Sequence, residues 1–430
     1  MNYDEVLEFM FNSLPMYQRI GEAAYKADLI TTEKLDEHFK QPHQAFKTVH
    51  VAGTNGKGSV SHSIASIFQE ARYKTGLYTS PHLIDYRERI RVNGEMISKE
   101  FVTAFINENI KLFTDLKPSF FEMSVALAFE YFRFCKVDVA IIEVGMGGRL
   151  DSTNIIKPEL SIITNIGFDH TQFLGNTLDK IAIEKAGIIK QNIPIVIGET
   201  QAETTDVFIN KAKEKNSKII FADQNKNQIY KQVEFSLTGS YQKKNLQTII
   251  SSIKTLKEIG FTLNNKDIIE GLKNVVLNTG FRGRWEITGQ NPLTICDTGH
   301  NKEGLIYTIK QLQGLNKAKI RFVLGFVNDK NVEDVFTLFP KNAEYYFTKA
   351  SVPRAMDENL LKEIAEKFKL IGNAYPNVMS AYKQALADAD TKDVIFIGGS
   401  TFVVADYLGD NEKDLTTKYT KEALRTQRKN

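Results

Sequence analysis

Short apolar runs alternate with stretches in which apolar residues return every three or four positions, and this alternation continues through most of the chain. Such a pattern predicts strands and helices in turn, which together make a parallel sheet covered by helices on both faces. The run "TVHVAG" predicts a strand, and Val60, Ile64, Ile67, Phe68 and Ala71 then follow at helical spacing. "FEMSVALAFEYFRF" predicts a buried helix leading into "VDVAIIEVG", whose nearly unbroken apolar character is that of a central parallel strand. "LSIITNIG" and "IPIVIG" predict two more strands.

A second series starts near Leu293. It runs through strands "LTICD", "IRFVLGF", "AEYYFTKA" and "DVIFIGGS", with helices around "GLIYTIKQL", "VEDVFTLF", "ENLLKEIAEKFKL" and "MSAYKQALADA", and ends in "TFVVADYL". This is a complete doubly wound unit in itself. The Gly- and Asn-rich "NTGFRGRWEITGQNP" between the series is taken as a linker. The division predicted is a nucleotide-binding α/β domain over 1–284, a linker over 285–292 and a Rossmann-like domain over 293–430. A chain of 430 residues is long enough for two such cores.

Composition changes this picture little. Fifty-five basic against 52 acidic residues leave a formal charge of +3, which gives no electrostatic reason to expect a nucleic-acid partner. The basic tail "KYTKEALRTQRKN" is expected to be a solvated terminus. Cys135 and Cys296 are too few for a metal cluster or a disulfide scaffold. The N-terminus carries acid rather than a basic leader, and no apolar stretch is long enough for a bilayer span, so a cytoplasmic enzyme without membrane attachment is expected.

Candidate chemistry begins at "HVAGTNGKGS". Between a strand and a helix, the amides of "GTNGKGS" and the helix N-terminus would hold phosphate oxygens, with Lys57 on the β- and γ-phosphates and Ser59 near Mg²⁺. Val51 stands where the strict nucleotide pattern has its first glycine, and Gly58 separates Lys57 from Ser59. The alternative is a Gly-rich turn that packs helix on strand. Glu143 closes a buried strand just before "GMGGR", where open α/β sheets place ligands; taken alone it is equally a core acid. His170 and Asp169 also follow a strand end, and Ser80 lies in "YTSPHL". Lys185 shares one helical face with Leu178, Ile181, Ala182 and Ile189, so a cation stands inside an apolar stripe. Three readings stay open for it: a snorkelling stem, a buried pair with an acid, or a lysine turned into an anion by CO₂.

These motifs, with "EVGMGGRLDSTN", "DHTQFLGNTLDKIAIEKAGI", "RGRWE" and "DTGHN", resemble the dihydrofolate synthase/folylpolyglutamate synthase family of the Mur-ligase superfamily over nearly the whole chain. The resemblance implies ATP on Asn55, Gly56, Lys57, Gly58 and Ser59, one Mg²⁺ near Ser80 and Glu143, and a second near His170. It makes Lys185 a carbamylated lysine. It also implies ATP contacts at Asn245, Arg284 and Asp297; on closure of the two domains His300 and Asp297 would meet ATP and glutamate. Pterin-side contacts fall on Phe121, Glu122, Leu150, Asp151 and Ser152. Departures are Arg282 in place of the usual proline and "DTGHN" in place of an Asp-Gly-Ala-His-Asn motif; "LPMYQRIG" is the candidate for the N-terminal substrate motif but is too degenerate to be assigned to it.

The implied reaction forms an amide between L-glutamate and a dihydropteroate or folate carboxylate through an acyl phosphate, in a monomeric enzyme that closes two domains over its site. A peptidoglycan-precursor ligase is the nearest rival; such enzymes carry a UDP-binding domain ahead of the loop, and only 52 residues precede Gly53. A nucleotide-switched binding protein would need no amino-acid site, and an inert scaffold gives no reason to bury Lys185.

Overall fold

The computed structural model describes residues 1–12, 28–224, 233–328 and 332–411. Two compact units divide it: Met1–Thr238 with Gln242–Phe281, and Gly239–Tyr241 with the chain from Arg282 onward. The segment "LPMYQRIG" and the basic tail lie outside the described residues.

The first unit is built on eight strands: β1 (Lys47–Ala52), β2 (Thr75–Tyr78), β3 (Ile90–Val92), β4 (Glu95–Met96), β5 (Val139–Glu143), β6 (Leu160–Ile163), β7 (Ile195–Ile197) and β8 (Ile219–Phe221). Their order is β4-β3-β2-β5-β1-β6-β7-β8, parallel from β2 to β8, with β3 and β4 added antiparallel at one edge. Strand β5 alternates its contacts, as pleating requires. Val139 and Ile141 pack with Val60, Ile64 and Ile67 of the helix Lys57–Glu70, while Ala140 and Ile142 pack on the other face with Phe129 and Phe132 of the helix Phe120–Cys135. Two buried faces are why the strand reads as a continuous apolar run.

The chain leaves β1, builds β2 and β5 on one side, and only later places β6 on the other. Strand β1 is therefore the topological switch point, and the crevice outside its carboxyl end is where such sheets take ligands.

In the second unit β9 (Glu286–Gln290), β10 (Leu293–Asp297), β11 (Ile320–Leu324), β12 (Glu344–Thr348), β13 (Gly372–Tyr375) and β14 (Val394–Gly398) are ordered β13-β12-β11-β14-β10-β9. All pairs are parallel except β9 with β10. The linker expected over 285–292 is thus not a linker. It is an edge strand that turns at Asn291-Pro292 to pair with β10, and Trp285 ahead of it is buried in the core of this unit. The Asn, Gly and Pro residues mark a hairpin turn rather than a flexible connection. The final "TFVVADYL" is helical over 401–411. No helix among the described residues is long and apolar enough to cross a membrane.

Candidate active site

The loop after β1 is held by the strand beside it. Gly53 has φ +144°, and a Cβ there would stand 1.8 Å from Thr164 Oγ1; Gly56 has φ +88°, with Asn245 Oδ1 2.3 Å from its would-be Cβ. Both positions need glycine for conformation and for space. Thr54 Oγ1 donates to the Gly167 carbonyl (3.1 Å) and accepts from the Gly167 amide (2.9 Å). The Asn55 amide donates to Asn165 Oδ1 (2.9 Å), and Thr164 Oγ1 donates to the Asn55 carbonyl (2.6 Å). Lys57, at the start of the helix, folds back so that Nζ donates to the carbonyls of Gly53 (3.1 Å) and Thr54 (3.2 Å). The buried Ser59 hydroxyl accepts from Gln242 Nε2 (3.0 Å), and Gln242 Oε1 accepts from Asn245 Nδ2 (2.7 Å). Gln242 escaped the sequence reading; its signal is the spacing of three residues to Asn245, which puts both amides on one helix face.

Glu143 lies at the carboxyl end of β5, in register with Val51, and is buried. Its Oε2 accepts from the Ser80 amide (3.2 Å), and its Oε1 is 3.9 Å from where a Gly58 Cβ would be. The structure thus brings Ser80, Glu143 and the first turn of the loop helix together. His170 sits on a different loop, after β6, at φ +50° and immediately before the short helix Thr171–Leu174; its Nε2 is 3.9 Å from Asp169 Oδ2. Among the described residues no three His, Cys, Asp or Glu side chains converge to form a self-contained metal cage. A hydroxyl and one carboxylate are hard oxygen donors, the set that suits Mg²⁺ when phosphate oxygens complete its coordination.

Lys185 is 4% exposed, so its head does not snorkel. Its Nζ donates to the Gly53 carbonyl (2.9 Å), the same oxygen that Lys57 reaches. Burial, and then the neighbouring Lys57 ammonium, pull its pKa from 10.5 down to about 7, against the pull of Asp169 and Asp151.

Just beyond β5, the position a Gly145 Cβ would take is 2.5 Å from Phe121 Cζ and 3.2 Å from Asp151 Oδ2, so ring and carboxylate flank one point. Asp151 is buried, which raises its carboxyl pKa, while donors from Thr153 and the Met146 amide oppose that rise. Leu150 is half-buried and Ser152 is buried beside it. Glu122 carries a structural duty that the Ser-x-x-Glu spacing of Ser119 and Glu122 signals in the sequence. It completes a capping box with Ser119, its Oε2 accepting from the Ser119 amide (2.6 Å), and its Oε1 accepts from Thr32 Oγ1 (3.5 Å).

Within the second unit, Asp297 closes β10 and accepts three donors: Tyr241 Oη (2.6 Å) and the Trp285 amide (2.8 Å) on Oδ2, and the Gly299 amide (2.7 Å) on Oδ1. Arg284 immediately precedes this Trp285 contact. His300 Nδ1 donates to the Thr298 carbonyl (3.0 Å). Arg282, standing for the usual proline, pairs with Glu286 (2.7 Å).

A phosphate-type loop at the switch point of one unit and a separate parallel-sheet unit define a Mur ligase. Residues 51–264 match the family described as "Mur ligase middle domain", and residues 283–401 match "Mur ligase, glutamate ligase domain". The chain is 32% identical over 417 residues to a Bacillus subtilis dihydrofolate synthase/folylpolyglutamate synthase, covering 89% of this chain and 94% of that protein. Escherichia coli FolC in complex with DHPP and ADP superposes with a TM-score of 0.83 at 25% identity, covering 96% of this chain and 98% of that one. The bifunctional folylpolyglutamate synthase/dihydrofolate synthase of Yersinia pestis complexed with AMPPNP and Mn ion gives 0.82 at 25% identity, with the same coverage. The chain belongs to the dihydrofolate synthase/folylpolyglutamate synthase family.

Proposed function

We propose that the chain joins L-glutamate to dihydropteroate, to a folate polyglutamate, or to both, at the expense of ATP. The substrate carboxylate attacks the γ-phosphorus of ATP and ADP leaves; the glutamate amine then attacks the acyl phosphate carbon and phosphate leaves. Such phosphoryl transfer asks for positioning and charge neutralisation rather than a protein nucleophile. The observation that carries the reading is the meeting of two ammonium groups, Lys57 and Lys185, on the Gly53 carbonyl beside Thr54–Ser59.

In this reading the amides of Asn55–Ser59 and the Lys57 ammonium hold the triphosphate. A divalent cation, one at Ser80 and Glu143 and one at His170, neutralises phosphate charge when bound. Asn245, Arg284 and Asp297 are given to ATP on the family resemblance, and His300 with Asp297 is given to ATP and glutamate once the two domains close. Phe121, Glu122 and Leu150–Ser152 are given to the pterin acid.

Carbamylation of Lys185 needs a neutral amine to attack CO₂. With a pKa of about 7, roughly half the amine is neutral at pH 7, some three orders of magnitude more than for an ordinary lysine. The resulting anion would also end the repulsion with Lys57 and add oxygen donors beside the loop.

The test is ADP release with dihydropteroate and tetrahydrofolate offered separately, each with and without L-glutamate. Release that requires glutamate and one of the two acids is the expected result. ADP formation indifferent to glutamate would favour a nucleotide-switched binding protein, and no ADP formation with any pterin acid overturns the proposal.

A further inference from the structure

His50 occupies the middle of β1, fully buried between its register partners Ile142 on β5 and Ser161 on β6. Packing at such a position is satisfied by an aliphatic side chain, so the imidazole has to be accounted for by what it bonds. Its Nε2 lies 2.9 Å from Thr153 Oγ1, and Thr153 Oγ1 lies 2.5 Å from Asp151 Oδ1. The direction of both bonds follows from the last group. A carboxylate that already accepts from the amides of Thr153 and Met146 is the acceptor here too, so the threonine hydroxyl donates to it. The threonine oxygen then accepts from His50, and Nε2 carries the ring proton.

The ring stays neutral, because burial, and then the Lys190 ammonium, push its pKa down to about 3. Its other nitrogen, Nδ1, has no hydrogen-bond partner among the described residues. Leaving that acceptor buried is a desolvation cost that an aliphatic residue would avoid. The compensating gain is the bond to Thr153. Without it the hydroxyl can rotate away from Asp151.

We infer that His50 is a positioning residue that acts through Thr153 to hold the Asp151 carboxylate in place for the pterin ring of the substrate. This rests on the reading of Asp151 as a pterin-side contact. The ligand chemistry that suits the held group is a heterocycle presenting N–H donors to an acceptor-only carboxylate, with Phe121 against its ring.

The test is steady-state kinetics of the full chain, varying the pterin acid that supports ADP release at saturating ATP and glutamate, then varying ATP. Expected for His50→Leu is a KM for the pterin acid raised about tenfold, the loss of one buried hydrogen bond, with the KM for ATP unchanged. His50→Gln keeps a side-chain N–H of similar reach and recovers most of the loss. Thr153→Val reproduces the defect, and the double variant is no worse than either single, since both cut one chain of bonds.

An unchanged pterin KM in His50→Leu, or additive losses in the double variant, overturns the relay. Should His50→Leu not fold, an unchanged pterin KM in Thr153→Val does the same. Asp151→Asn separates the two levels of the claim. No effect of that variant on the pterin KM sinks the reading of Asp151, whereas a raised KM there with normal His50→Leu kinetics sinks only the role of His50.

Discussion

Lys185 shows how far one side chain can depart from its ordinary chemistry. An ammonium removed from water, with a second ammonium nearby, binds its proton less tightly than in the unfolded chain. The unfolded state therefore holds more protons between pH 7 and 10.5, so this group's contribution to stability rises with pH across that window and its penalty is complete below 7. In CO₂-free buffer, Lys185→Met is expected to be more stable than the unmodified protein at pH 6, by a few kcal/mol, with the difference fading toward pH 10. Chemical denaturation at the two pH values measures it. Turnover behaves oppositely: Lys185→Ala is expected to abolish ADP release, with partial return on adding small carboxylates. Full activity in that variant would remove Lys185 from the mechanism. The sequence showed the lysine within an apolar stripe and left snorkelling, pairing with an acid and a CO₂-derived anion open; burial removes the first, and the contact with the Gly53 carbonyl, distant in sequence, was visible only in the fold.

At the scale of elements, the strand–loop–helix around Gly53 works because β6 emerges beside it. Thr164, Asn165 and Gly167 grip the loop from that side, so its shape is set by the neighbouring strand as much as by its glycines. Gly53→Ala drives a methyl into Thr164 and adds strain of about 1–3 kcal/mol at its backbone. Its expected outcome is loss of both turnover and the rise in melting temperature produced by MgADP, read by scanning fluorimetry. Gly260→Ala, also at positive φ but with nothing near its would-be Cβ, is expected to keep both. The apolar strands β1, β5, β6, β7, β10, β11, β12 and β14 were legible because burial on both faces leaves a continuous run. The short strands β2, β3, β4, β8 and β13 were not, since two to four residues carry little pattern, whether fully buried like β2 or at a sheet edge like β4, β8 and β13. Asn93-Gly94, between β3 and β4, was a hairpin signal that the reading passed over.

At the scale of the whole molecule, each unit keeps its own core and its own buried polar network. In the second unit Arg321, almost fully buried at the start of β11, donates to Asp393 (3.0 Å), Glu344 and Tyr346 (2.8 Å). Glu344 reaches solvent, but removing Arg321 strands the buried Asp393 carboxylate in low dielectric. Arg321→Ala is expected to cost about 3–5 kcal/mol and to lower the melting temperature, while the KM for the pterin acid in the surviving folded protein stays as it was. A raised KM would show that this network reaches beyond its own unit.

Two parallel-sheet units, a phosphate-type loop and the charged residues at strand ends were readable from the chain alone, because periodicity, glycine spacing and a cation in an apolar stripe are local properties. That residues 286–290 form a strand, that Glu122 also accepts from Thr32, and that Lys57 and Lys185 share one carbonyl depended on the tertiary fold. It alone aligned His50, Thr153 and Asp151. Hydrogen bonds and desolvation act between groups scattered along the chain, and only the fold sets which of those groups meet.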